Sequence, residues 1–119
     1  MRGGMLLARA LREKGITRVF TLSGGFCNPA LEGLMECDIP VINTPHEQVA
    51  GHLADANTRI TREPTVCLVG PEGFANAVPA IMEAWGERSP VILLLVPVPS
   101  SVKEGEVSKR SMTYLLQHR

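Results

Sequence analysis

A chain of 119 residues with 45% hydrophobic and 20% charged side chains has the balance of one globular domain, not of a disordered segment. Lys plus Arg and Asp plus Glu both number 12, so the formal net charge is zero and the electrostatic case for nucleic acid or an anionic membrane surface is excluded. The aromatic residues (Phe20, Phe26, Phe74, Trp85 and Tyr114) make up 4% and are too scattered for a base-stacking platform.

Helix-like and strand-like segments alternate along the chain. From Met5 to Lys14, Leu6, Leu7, Ala10 and Leu11 recur at helical spacing, and Gly15 stands where a C-terminal cap belongs. Arg12 and Arg9 break the apolar run at Met5–Ala8, which argues against a signal peptide. Arg18 to Leu22 reads as a strand running into a Ser23-Gly24-Gly25 turn. Asn28 is expected to cap a second helix, with Pro29 at its first position and Ala30, Leu31, Leu34 and Met35 on its buried face.

Ile39 to Asn43 is a second strand. A third helix runs from Glu47 to Thr61, with Val49, Ala50, Leu53, Ala54 and Ala56 expected to face inward. Thr65 to Val69 is a continuous apolar strand that ends at Gly70-Pro71-Glu72-Gly73. A fourth helix follows from Ala75 to Trp85, with Pro79 placed in or near its first turn, where a missing N–H costs little. Val91 to Val96 is the most hydrophobic strand and is far too short to span a bilayer.

Apolar strands alternating with helices indicate a parallel sheet buried between helix layers. The fold expected is therefore α/β, a Rossmann-like three-layer sandwich with a mostly parallel sheet. Residues 1–98 form the domain, and residues 99–119 form a polar tail with a weak helical pattern at Met112, Leu115 and Leu116. Cys27, Cys37 and Cys67 are odd in number and lack a Cys-x-x-Cys pair, the usage of a reduced, cytoplasmic protein.

In open α/β sheets, sites gather at the carboxyl ends of the strands. Three loops share that edge here: Ser23-Gly24-Gly25-Phe26, Thr44-Pro45-His46-Glu47 and Gly70-Pro71-Glu72-Gly73. Glycines there let a ligand approach the backbone. Glu47 opens a helix, where the dipole favours a carboxylate, and a flat apolar ligand laid over it would make it a ready proton partner. Acids are common in first turns, so Glu47 alone also reads as a solvated capping residue. His46 and His52 are six residues apart, off a shared helix face, and no His-Glu-x-x-His pattern exists, so no metal site is expected. Ser23 is in no nucleophile elbow. Cys67 reads as strand core, Cys37 as an ordinary helix residue, and Cys27 as a residue exposed near the glycine loop.

Several of these residues also carry a family resemblance. Ser23-Gly24-Gly25 with Pro29, His46-Glu47-Gln48 with Gly51-His52 and Ala54-Asp55, Arg59, Val66-Cys67-Leu68-Val69, then Gly73 and Asn76 follow one another in an order that resembles a known domain. It is the N-terminal, pyrimidine-binding domain of acetolactate synthases and related thiamine-diphosphate-dependent 2-oxo acid decarboxylases, over about Gly4 to Val98. The resemblance implies that Glu47 bonds N1′ of the cofactor's aminopyrimidine ring and promotes its activation. It also implies that Gly24, Gly25, Gly70, Pro71, Gly73 and Asn76 line the same cleft.

Two departures stand out. Gly70-Pro71-Glu72-Gly73 is one residue shorter than the family's usual stretch and adds a carboxylate, and Asp55-Ala56-Asn57-Thr58-Arg59 replaces the usual Asp-Gly-Tyr-Ala-Arg. The family's diphosphate-binding domain, with its magnesium motif, is not among these residues, and the last strands of the pyrimidine domain are expected to be missing after Val98. Three readings stay open. One is a stand-alone or truncated pyrimidine domain, inactive by itself and expected to self-associate as a dimer. Another is one subunit of a split decarboxylase or carboligase that needs a separate diphosphate-binding chain. The last is a Rossmann-like binding module that has lost the cofactor. The first two would bring thiamine diphosphate, with Mg2+ held by the absent domain, as the resemblance implies.

Overall fold

The computed structural model describes residues 2–97. The expected tail at 99–119 lies outside the described residues. The elements run α1 (Gly3–Glu13), β1 (Val19–Thr21), a 3-10 turn (Gly25–Cys27), α2 (Asn28–Glu36), β2 (Val41–Asn43), α3 (Glu47–Thr61), β3 (Thr65–Val69), α4 (Phe74–Gly86) and β4 (Val91–Leu95). The four strands form one all-parallel sheet in the order β2-β1-β3-β4. The α/β three-layer expectation therefore holds.

Strand pleating sorts the core. Val19, Val66 and Leu68 point toward Ala8 and Leu11 of α1 and Ala30 and Leu34 of α2. Their neighbours Phe20, Cys67 and Val69 point toward Ala50 and Ala54 of α3 and Ala77 of α4. Every residue of β1 and β3 is buried, as apolar strands in the middle of a parallel sheet should be. β4, the most hydrophobic strand, is an edge strand, and its Ile92 is 38% exposed.

Helix pairs approach closely because small residues stand at their crossings. On one face, a Cβ on Gly33 of α2 would run into the carbonyl of Gly4 in α1, and a Cβ on Gly4 into the carbonyl of Pro29. On the other, a Cβ on Gly51 would come within 2.6 Å of the Ala80 Cβ. Gly15 follows α1 with φ 77°, a left-handed position that glycine takes without strain.

The structure corrects several local expectations. Asn28 does not cap α2. It is the first helical residue, preceded by the 3-10 turn, and no side chain bonds to that helix end. Met35 is 71% exposed, because the close α1–α2 crossing buries Gly33 in preference to a long side chain. On α3, Val49 and Leu53 are exposed and Ala56 faces solvent, while Gly51, Asp55 and Thr58 are buried with Ala50 and Ala54. Pro79 lies in the second turn of α4, so the helix lacks one internal bond there.

The buried Asp55 is paired. Arg59 donates to both of its carboxylate oxygens, at 3.0 and 2.8 Å, and also reaches Glu83 of α4 at 3.5 Å. Burial pushes the Asp55 carboxyl up. The hydrogen bonds from Arg59 and Ser89, with the charges of Arg59 and His52, outweigh that and hold it below its ordinary value. A depressed carboxyl contributes stability that is present above its unfolded value, about pH 4, and is lost as pH falls through the folded one. Thermal melts should therefore show a steepening loss of stability below about pH 4, with a shallower loss in Asp55→Asn, which starts from a lower melting temperature at neutral pH.

Candidate functional site

The order β2-β1-β3-β4 places a topological switch between β1 and β3, where open sheets of this kind bind ligands beyond the strands' carboxyl ends. The chain stitches this edge together with buried threonines and one asparagine. Thr21 Oγ1 donates to the Leu68 carbonyl at 2.7 Å, tying β1 to β3. The Thr44 N–H and hydroxyl both donate to the Thr21 carbonyl, and the Ser23 N–H donates to Asn43 Oδ1 at 2.8 Å. The sequence places Ser23 and Thr44 on this edge but does not reveal the bonds that Thr21, Asn43 and Thr44 make across it. The signal was there, in the polar side chains that close β1 and β2.

His46 caps α3, its Nδ1 accepting from the Gln48 N–H at 3.0 Å. The imidazole has a structural partner, and the His52 ring lies 3.4 Å from the Gln48 amide. Among the described residues no cluster of three His, Cys, Asp or Glu stands ready for a metal ion.

The cap delivers Glu47 as the first residue of α3, half-buried. Its side chain crosses to the connection after β3. There Asn76 Nδ2 donates to Glu47 Oε2 at 3.1 Å. A Cβ on Gly73 would come within 2.6 Å of both Glu47 Cγ and Oε1. The Glu47 side chain thus occupies the space that a Cβ on Gly73 would take. Cys67 is buried near Glu47. Burial pushes its thiol up to about 11, with a smaller push from the Glu47 charge, so it stays protonated at neutral pH.

Beside this seat lies a groove of about 400 Å³ lined by Gly24, Gly25, Phe26, Cys27, Gly70 and Glu72. A Cβ on Gly24 or Gly25 would meet nothing within 4 Å, and neither has a positive φ. The fold does not demand glycine at these positions, whose side-chain space is open. Gly70 to Gly73 form a tight turn, the Gly73 N–H donating to the Gly70 carbonyl at 3.1 Å, with Pro71 buried inside it. Cys27 is fully buried, which corrects the expectation of exposure. Burial raises its thiol, a hydrogen bond at Gly24 lowers it, and the Glu72 charge raises it further.

The sequence-predicted residues thus fall into two adjoining groups: Glu47 with Gly73 and Asn76, and Gly24 and Gly25 with Gly70. Pro71 shapes the turn that joins them.

The family described as thiamine pyrophosphate enzyme, N-terminal TPP binding domain, matches residues 1–116. The chain belongs to this family. A probable acetolactate synthase of Mycobacterium bovis is 39% identical over 95 residues, covering 79% of this chain and 17% of that one. A probable acetolactate synthase large subunit of Methanocaldococcus jannaschii is 36% identical over 104 residues, 86% of this chain and 17% of its own length. The 2-hydroxyacyl-CoA lyase 2 of Mus musculus is 42% identical over 94 residues, 77% of this chain and 15% of its own.

The chain thus spans only 15–17% of the length of these relatives. Benzoylformate decarboxylase from Polynucleobacter necessarius superposes with a TM-score of 0.72 at 19% identity, over 84% of this chain and 19% of that one, and so shares the fold. No helix among the described residues of this thiamine pyrophosphate domain is long and apolar enough to cross a membrane.

Proposed function

We propose that this chain contributes the pyrimidine-recognising half of a thiamine-diphosphate site. The observation that carries the reading is the Glu47 carboxylate, seated on the bare backbone of Gly73 beside a groove whose glycines leave their side-chain space open. The donor set fits the ring. Glu47 would meet N1′ of the aminopyrimidine, and the backbone at Gly24, Gly25 and Gly70 would let a flat ligand approach. Pro71, Gly73 and Asn76 complete that wall. Bound there, thiamine diphosphate supplies an electron sink for carbanion chemistry. The chain's own part is to orient the ring, exclude water from one face, and hold or release a proton at Glu47.

The diphosphate end and its Mg2+ belong to a separate domain in this reading, since Glu72 stands in the groove and repels an anion. Activity of the 2-oxo acid decarboxylase or carboligase class therefore belongs to an assembly, either a homo-oligomer or a pairing with a diphosphate-binding chain, and this chain alone is expected to be inactive. Exposed apolar side chains support association. Val49 and Leu53 on α3, with Val78, Met82 and Trp85 on α4, lie uncovered, Trp85 at 80%. The same Glu72 favours one competing reading, a binding module that kept the fold and lost the cofactor.

Calorimetric titration with thiamine diphosphate and Mg2+ separates these readings when wild type is compared with Gly24→Val. The backbone at Gly24 is extended (φ −146°, ψ 161°), so valine fits without strain. Melting stability should stay within about 0.5 kcal/mol. Affinity should fall at least about tenfold, as expected for a filled ligand space. Equal affinity in the two proteins would put the ligand outside this groove, and no binding to wild type would favour the binding module.

A further inference from the structure

We propose that Asn76 is a positioning residue for Glu47, holding its carboxylate in one orientation without neutralising it. The inference rests on the reading of Glu47 given above. Glu47 sits on a helix first turn with a flexible side chain, and two contacts, one from the turn after β3 and one from the first turn of α4, restrain it. Gly73 receives Cγ and Oε1 against its backbone, and the Asn76 amide donates to Oε2 at 3.1 Å.

The choice of donor matters. An asparagine in a helix first turn commonly bonds to nearby backbone. Here no side chain caps α4, and the Asn76 amide reaches across to α3 instead. The ion pairs among the described residues join Arg2 to Glu32 and Arg59 to Asp55, Glu83 and Glu87, and none includes Glu47. A guanidinium in place of Asn76 would fix the carboxylate as one half of an ion pair. A neutral amide fixes direction and leaves the charge for a ligand. Asn76 itself is exposed, so packing does not require it.

The test uses the full 119-residue chain and needs no activity. The side-chain amide signals of Asn76 in a 15N-labelled sample are identified by their loss in Asn76→Ala. They should move in Glu47→Gln by more than the spread of the other side-chain amides. In titrations with thiamine diphosphate and Mg2+, Asn76→Ala should weaken binding about tenfold, the usual scale of one hydrogen bond to a charged group. Asn76→Asp, the same shape without a donor and with repulsion added, should bind worse than Asn76→Ala. Asn76→Gln, which keeps a donor, should recover part of the loss. In the Glu47→Gln background, Asn76→Ala should cost nothing further.

A purely structural asparagine would instead rank aspartate above alanine. Asn76 amide signals unmoved by Glu47→Gln, or wild-type affinity in Asn76→Asp, would overturn the proposal. A wild-type chain that binds no cofactor would sink the reading of the site, and the amide comparison alone would then decide whether Asn76 holds Glu47.

Discussion

Gly33→Val is expected to leave the chain unfolded at 25 °C or melting on the order of 15 °C lower. The atoms in the way are backbone, the Gly4 carbonyl and the Met5 nitrogen, the latter 2.8 Å from a Cβ on Gly33. Backbone in the middle of a helix cannot swing aside as a side chain does, so α1 and α2 must separate. That separation opens the cluster formed by Ala8, Leu11, Ala30 and Leu34. Overpacking of this kind costs about 3 kcal/mol or more, a large share of the 5–15 kcal/mol that holds a small domain together. Each kcal/mol corresponds to about 4–8 °C at this size. Gly86→Ala is the control. Nothing lies within 4 Å of its Cβ, and it should stabilise α4 by about 0.5 kcal/mol. Circular-dichroism melts read both, and a Gly33→Val chain that melts with wild type would refute the close crossing.

Gly73→Ala should have the opposite profile, with the fold kept and the site lost. A new methyl group meets Glu47 Cγ and Oε1 at 2.6 Å and Cδ at 2.8 Å. All three belong to a flexible, half-buried side chain, which can leave at small cost, and Gly73 has φ −77°, which alanine adopts freely. Melting should change by less than about 1 kcal/mol. Affinity for thiamine diphosphate should fall to the level of Glu47→Gln, and the double variant should be no weaker than either single one. A Gly73→Ala chain that binds like wild type would mean that the position of the Glu47 side chain does not matter.

These two glycines also mark how far the sequence could be read. Strand β3 and helix α3 were legible to the residue, because one is an unbroken apolar run and the other carries Val49, Ala50, Leu53 and Ala54 at helical spacing. The edge carrying Glu47, Gly24, Gly25, Gly70 and Gly73 followed from strands alternating with helices. The face of α3 did not follow. Hydrophobicity points Val49 and Leu53 inward, but α3 lies so close to Ala77 and Ala80 of α4 that only small or paired residues fit between them. Gly51, Thr58 and the ion-paired Asp55 take those places, and the larger apolar side chains are left outside.

The same physics hid Gly33. A glycine inside a helix weakens it by about 1 kcal/mol, which is a hint of a packing demand elsewhere, but the demand comes from Gly4, 29 positions away in sequence. The link between Asn76 and Glu47 is likewise non-local, and spacing along the chain carries no trace of it. The 3-10 turn before α2 was hidden for a different reason. Asn28 and Pro29 satisfy the usual rule for a helix start one residue too late, and the turn at Gly25–Cys27 feeds the helix directly.

Whether Glu47 meets a thiamine ring is decided by calorimetric titration of wild type and Glu47→Gln with thiamine diphosphate and Mg2+. Wild type should bind measurably and Glu47→Gln at least about tenfold more weakly, with the two proteins melting together. Identical isotherms for the two proteins, or no binding to wild type at millimolar cofactor, would contradict it.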